Sequence, residues 1–135
     1  MIAVLGTVAD WMTREPVAVS EEMPLAQVLA LMRAREIRHV LVMQGDRLAG
    51  IFSTRDVRRL LDVTGPRAVP DVTVAALMTE DPVTVSPAAP LLEAARAILE
   101  GKIGALPVTE DGRPVGILTS QDALEALLAW AERAP

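Results

Sequence analysis

At 135 residues, half of them apolar, the chain has material for one compact domain or two small units sharing a core. A formal charge of -5, with two tryptophans and one phenylalanine as its only aromatics, argues against a general nucleic-acid binder working by phosphate neutralisation and base stacking. The absence of cysteine removes thiolate metal sites, disulfides and thiol catalysis, and the single histidine, His39, leaves no histidine-based zinc site. No apolar run approaches the roughly 18 residues of a membrane span, and Met1-Ile2-Ala3-Val4-Leu5 is too short and lacks the basic start of a secretory signal. A soluble cytoplasmic protein is expected. Arginine dominates the cations, Lys102 being the only lysine; this suits bidentate contact with phosphate or carboxylate and equally suits a GC-rich genome or a heat-adapted surface.

In chain order, Val8 to Met12 reads as a short helical turn ended near Pro16, and Val17-Ala18-Val19 as a brief extended segment. Pro24-Leu25 opens a helix with Leu25, Val28, Leu29 and Met32 at helical spacing. Val40-Leu41-Val42-Met43 is a buried-type strand, Gln44-Gly45-Asp46-Arg47 a turn, and Leu48 to Ser53 the antiparallel return strand, leading into a helix over Val57-Arg58-Arg59-Leu60-Leu61. Gly65, Pro66 and Pro70 mark a short stiff linker. The pattern then recurs: Val83-Thr84-Val85 extended, a helix from Pro90 to Glu100 with Leu91, Ala94, Ala95 and Ile98 on one face and Gly101 as its stop, an Asp111-Gly112 hairpin turn, and a closing helix carrying Leu124, Leu127, Leu128 and Trp130.

The recurrence is a true internal repeat. Gly50 and Gly116, Asp56 and Asp122, Met12-Thr13 and Met78-Thr79, and Pro24-Leu25 and Pro90-Leu91 all stand 66 residues apart, and about 15 of roughly 49 aligned positions are identical without a gap. The chain is a tandem duplication, expected to divide into a first repeat at 1–64, a linker at 65–72 and a second repeat at 73–135. The fold class is α+β, two β-α-β-β-α repeats packed sheet to sheet about a pseudo-twofold axis, with two equivalent clefts between them.

Both repeats end alike, in Gly50-Ile51-Phe52-Ser53-Thr54-Arg55-Asp56 and Gly116-Ile117-Leu118-Thr119-Ser120-Gln121-Asp122. A hydroxyl where a strand becomes a helix caps the first turn, and the same junction offers free N–H groups and the positive end of a helix dipole to an anion. A carboxylate in that turn is stabilised there and can accept from a diol. One such copy is ordinary capping chemistry; two in register point to a function.

The ordered set of Met-Thr-x-x-Pro-Val, a Pro-Leu helix start, Ile37-Arg38-His39-Val40-Leu41-Val42, the Asp-Gly turn and Gly-Ile-x-x-x-x-Asp resembles a tandem pair of CBS domains, the Bateman module, from Val8 to about Leu128. The second copy keeps the Leu106-Pro107-Val108 typical of the family. The resemblance implies binding of an adenosine-containing ligand, with AMP, ADP, ATP, S-adenosylmethionine and NAD-type dinucleotides all compatible, and no required cofactor or metal. It implies composite pockets. One combines Thr13, Val17, Ala18, Ile37, Arg38 and His39 with Ile117, Thr119 and Asp122; the other combines Thr79, Val83, Thr84, Ile103 and Gly104 with Ile51, Ser53 and Asp56. In this reading Asp meets the ribose diol by charge-assisted hydrogen bonds, the apolar flanks hold the base, and Arg38 and His39 reach phosphate. Because Gly104-Ala105 stands where the first copy has Arg38-His39, the Asp122 pocket is expected to be the principal one, unless Arg55, Arg58 or Arg59 supplies charge at Asp56. A solvated connector is the rival reading of Arg38 and His39.

Glu21-Glu22, Glu80-Asp81 and Glu110-Asp111 lie in loops and turns without a third ligand, and read as solvated surface rather than metal or acid–base sites. No phosphate-loop signature and no nucleophile with an adjacent base is present, so the chain is expected not to be an enzyme. Two functions compete. The first is a regulatory ligand sensor that modulates a separate partner protein, since the chain ends at Pro135 soon after the second repeat. The second is a dimerisation scaffold that binds no ligand. The family resemblance implies a homodimer in either case, with the last helix and Trp11 as candidate burial surfaces.

Overall fold

The computed structural model describes residues 5–65 and 69–133. Residues 1–4, the middle of the expected linker at 66–68, and residues 134–135 lie outside the described residues, and with them the readings made on the opening segment, on Pro66 and on Pro135. In chain order the elements are α1 (Val8–Trp11), β1 (Thr13–Arg14), β2 (Ala18–Ser20), α2 (Leu25–Arg35), β3 (His39–Gln44), β4 (Arg47–Ser53), α3 (Thr54–Thr64), a 3-10 turn at Val74–Ala76, β5 (Thr79–Glu80), α4 (Leu91–Gly101), β6 (Ala105–Glu110), β7 (Arg113–Thr119) and α5 (Ser120–Arg133). The fold is α+β, as its strand and helix periodicities require.

The chain forms two compact units that do not follow the repeat boundaries read at 1–64 and 73–135. One unit is Val17–Pro82; the other joins Met1–Pro16 to Val83–Pro135. Each repeat therefore places its opening segment in the unit built by the other repeat.

In the Val17–Pro82 unit a four-stranded sheet runs β2-β3-β4-β5. Strands β2 and β3 are parallel, connected through α2, whereas β3, β4 and β5 follow one another antiparallel. Leu25, Val28 and Met32 recur on one face of α2 and bury it against Val19, Val40, Val42 and Phe52. Val74, at the start of the second repeat, is fully buried in the same cluster. The other unit has the three-stranded order β1-β7-β6 and a core of Val8, Leu91, Ala94, Ile98, Leu106, Val108, Leu118 and Ala126. Val8, from the first repeat, is its fully buried guest.

The glycine of each repeated motif makes room for the exchanged segment. A Cβ on Gly50 would stand 2.6 Å from the Thr79 carbonyl oxygen and 2.7 Å from the Met78 sulfur; one on Gly116 would stand 2.8 Å from the Thr13 carbonyl oxygen and 2.7 Å from the Met12 sulfur. The Met-Thr pair of one repeat thus lies directly on the glycine of the other, in β1–β7 and β4–β5 pairs with Thr13 opposite Ile117 and Thr79 opposite Ile51.

The period of 66 persists in the backbone. Glu15 and Asp81 share the left-handed conformation at φ 52° and 46°, as do Glu36 and Lys102 at 54° and 53°. The second pair corrects one expectation. Gly101 is the last residue of α4, and the left-handed terminator is Lys102, whose N–H donates back to Ile98 and Leu99, as the Glu36 N–H does to Met32 and Arg33. The extended segment expected at Val83–Val85 reduces to a single parallel bridge from Val85 to Val108. In the first repeat the Leu41 N–H donates to the Val17 carbonyl at 3.0 Å; its counterpart, Pro107, has no N–H to give, and the ladder stops short.

The last helix and Trp11, both candidate surfaces for a second copy, part ways. Leu124, Leu127, Leu128 and Trp130 of α5 are all exposed, and Ala126 is the residue that α5 buries. Trp11 packs instead against the core around Val8, its indole N–H donating to the Leu5 carbonyl at 2.9 Å.

Candidate functional site

Each unit brings its motif residues to one end of its sheet. In the Val17–Pro82 unit the hairpin through Gly45 and Asp46 sets His39 opposite Ser53. The Thr54 N–H then donates to the Arg38 carbonyl at 3.0 Å, fastening the start of α3 to the connector before β3. Parallel pairing of β2 with β3 puts Val17 and Ala18 at the same end, and β5 adds Thr79 across from Ile51. The Asp56 carboxylate folds back over this end, its Oδ2 accepting from the Ser53 N–H at 2.8 Å and from the Ser53 hydroxyl at 3.2 Å. This is a capping box with aspartate in the place of the usual glutamate. Asp56, Ser53 and His39 are half-buried, Arg38 is exposed.

The other unit repeats the construction. Ala105 lies opposite Thr119, the Ser120 N–H donates to the Gly104 carbonyl at 2.9 Å, and Thr13 pairs with Ile117. Asp122 Oδ2 accepts from the Thr119 N–H at 2.8 Å, while the Asp122 N–H donates to the Thr119 hydroxyl at 3.1 Å. In both copies these hydrogen bonds engage only Oδ2, so Oδ1 has no protein partner among the described residues.

The two groupings expected from the sequence each draw on both units. Val17, Ala18, Ile37, Arg38, His39, Ile51, Ser53, Asp56 and Thr79 belong to the Val17–Pro82 unit; Thr13, Val83, Thr84, Ile103, Gly104, Ile117, Thr119 and Asp122 belong to the other. The structure therefore sets Arg38 and His39 beside Ser53 and Asp56. Hairpin register carries this signal in the sequence: a turn at Gly45-Asp46 leaves position 39 facing position 53 with one bulged residue.

Charge distinguishes the two ends. Burial holds the His39 imidazole below its ordinary pKa, the positive charges of Arg38 and Arg55 push it down further, and Asp56 partly restores it. Those three charges therefore act on one half-buried imidazole. Beside them, an open hollow of about 420 Å³ between α2 and α3 is lined by Leu29, Met32, Ile37, Val57 and Thr54, with Arg33, Glu36 and Arg58. No group of His, Asp and Glu among the described residues is placed to hold a metal ion, and no helix among them is long and apolar enough to cross a membrane.

Comparison with known proteins places these observations. The CBS-domain profile matches twice, over residues 8–63 and 74–129. The inosine-5'-monophosphate dehydrogenase of Korarchaeum cryptofilum is 34% identical over 114 residues, which cover 84% of this chain and 22% of that enzyme. The chain spans less than a quarter of the length of the curated relatives it matches first. Among solved structures, CBSX2 in complex with AMP superposes with a TM-score of 0.78 at 29% identity, covering 94% of this chain and 98% of its own. A conserved protein from Pyrococcus horikoshii gives a TM-score of 0.80 at 26% identity, covering 98% of this chain and 96% of its own.

Proposed function

The chain belongs to the CBS-domain family as a tandem pair, and from that premise we propose that it is a non-catalytic regulatory module that senses an adenosine-type nucleotide at its strand-to-helix junctions and transmits the occupancy to a separate partner protein. The observation that carries this reading is the duplicated carboxylate. Asp56 and Asp122 each spend Oδ2 on the helix cap and keep Oδ1 for a further donor, which is what a ribose diol supplies. The same aspartate capping box closes α1 at Thr7 and Asp10, so capping accounts for these hydrogen bonds. It does not account for the carboxylate recurring at the strand-to-helix junction of both repeats, nor for the cations gathered at one copy. The AMP held by CBSX2, a protein of the same fold, supports the ligand class. The proposed contacts are Asp56 with Ser53, Arg38, His39, Ile37, Val17, Ala18, Ile51 and Thr79, and Asp122 with Thr119, Ile117, Ile103, Gly104, Thr13, Val83 and Thr84. Ligand acts through its differential affinity for two states of the module.

Thermal melts against adenosine, AMP, ADP, ATP, NAD, S-adenosylmethionine and deoxy-AMP test the proposal. A ligand at about 100 times its dissociation constant stabilises the folded state by roughly 2.7 kcal/mol. The expected result is a shift with an adenosine ligand that is weaker for the deoxy analogue and reduced in Asp56→Ala or Asp122→Ala. No shift in protein verified as ligand-free supports the scaffold instead.

One observation favours a scaffolding role alongside sensing. Leu124, Leu127 and Leu128 on α5 and Leu99 on α4 are 60%, 49%, 60% and 78% exposed. Exposed leucines on two helices of one unit are apolar area that a second copy would bury, in keeping with a homodimer.

A further inference from the structure

We infer that the two junctions take different ligands: the Asp56 end an adenosine ligand bearing phosphate, and the Asp122 end one without it. This deepens the sensor reading and rests on it. Both ends present the same hydroxyl, the same carboxylate and the same helix N-terminus, so those features cannot discriminate. The side chains around them do. Arg38, His39 and Arg55 stand with Asp56, and the period of 66 replaces them by Gly104, Ala105 and Gln121 beside Asp122. One turn further into the helix, Arg58 and Arg59 become Leu124 and Glu125. Every cation of the first end is neutral or acidic in the second.

A phosphate monoester brings up to two negative charges. Near Asp56 it meets guanidinium groups able to hold two oxygens at once, together with the N–H groups opening α3. Near Asp122 the helix offers only its N–H groups, with Asp122 and Glu125 repelling the phosphate. The cations on the neighbouring segments of that unit, Arg14 and Lys102, stand where the first end has Glu80 and Glu36. Both are exposed, Arg14 turning back to donate to the Ala9 carbonyl at 3.5 Å. A nucleoside, or a nucleoside whose 5' position carries an uncharged or cationic group, avoids that repulsion and still offers a diol to Asp122. One chain thereby reads two forms of adenosine ligand. The cation-bearing end is the Asp56 end, the reverse of the ranking drawn from pockets that pair Arg38 with Asp122.

Isothermal titration of the full chain with AMP and with adenosine, at low and high salt, is the test. AMP affinity is expected to fall with salt, and to fall at least ten-fold in Arg38→Gln, a substitution at an exposed position, with the variant's fold to be verified by circular dichroism. Gln121→Arg, the reciprocal exchange at the second end, is expected to add a second AMP-binding event. If AMP binds Arg38→Gln within two-fold of wild type, or is lost from Asp122→Asn and retained by Asp56→Asn, the assignment is overturned while the sensor reading stands. If folded, ligand-free wild type binds neither AMP nor adenosine, both readings are overturned together.

Discussion

Gly50 sits so close beneath Thr79 that a Cβ on the glycine would lie 2.6 Å from the threonine's carbonyl oxygen. The obstruction is backbone, held by the β4–β5 pairing, and no rotamer change relieves it. Gly50→Ala must part β4 from β5, and Gly116→Ala must part β7 from β1. Each is expected to cost about 1–3 kcal/mol, read as a lower midpoint in urea denaturation.

Gly101→Ala has the opposite sign. Gly101 ends α4 at an ordinary helical φ, and a Cβ there meets only Ile103 carbons at 3.5 Å and beyond, normal contact distance. Removing the glycine's excess freedom in the unfolded chain is expected to stabilise by about 0.5–1 kcal/mol. Chemical denaturation with an unchanged m-value would verify it.

Fragment boundaries offer a third prediction. Residues 17–82 contain the whole core cluster around Phe52, including Val74 and the flanking Leu77 and Met78. Residues 1–64 lack those three and carry Val8 with its core partners missing. The 17–82 fragment is expected to unfold cooperatively by circular dichroism, and the 1–64 fragment to show no cooperative transition. The reverse outcome would mean that the repeat, not the exchanged unit, is the folding unit.

The His39 imidazole predicts a pH dependence. Its folded pKa lies below the ordinary 6.5 through burial and through Arg38 and Arg55, so in that window the unfolded chain binds more protons. Stability attributable to His39 is then fully present above pH 6.5 and is lost as pH falls through the lowered folded value. His39→Gln is expected to flatten this slope in melts between pH 7.5 and 5. A steeper slope in the variant would contradict the assignment.

Much of this was legible in the sequence, and the exceptions share a cause. A fixed period of 66 located the repeats, the hairpins and both capping carboxylates, because each is a local pattern written twice. Periodicity cannot say which copy of Met-Thr lies on which glycine, since either pairing satisfies the same motif. The family resemblance supplied that choice, setting Thr13 with Ile117 and Thr79 with Ile51 as the strand pairs hold them. It also set Arg38 and His39 with Asp122, whereas hairpin register stands them by Ser53 and Asp56. The stripe Leu124, Leu127 and Leu128 has core-like spacing yet points outward, because α5 buries small Ala126 where the helix meets the sheet and α4. Helical spacing identifies a face without saying what covers it.

The exchanged opening segments bear on how such a chain arises. A single ancestral repeat would have lacked Val74 or Val8 from its own core, and could close that core only by trading its first residues with another molecule, at the mercy of concentration. Joining two copies end to end makes the trade internal, at an effective concentration in the millimolar range for a short connection. Duplication here converts a partnership between molecules into a property of one gene product. Once joined, the copies can diverge around their carboxylates, but neither can be discarded.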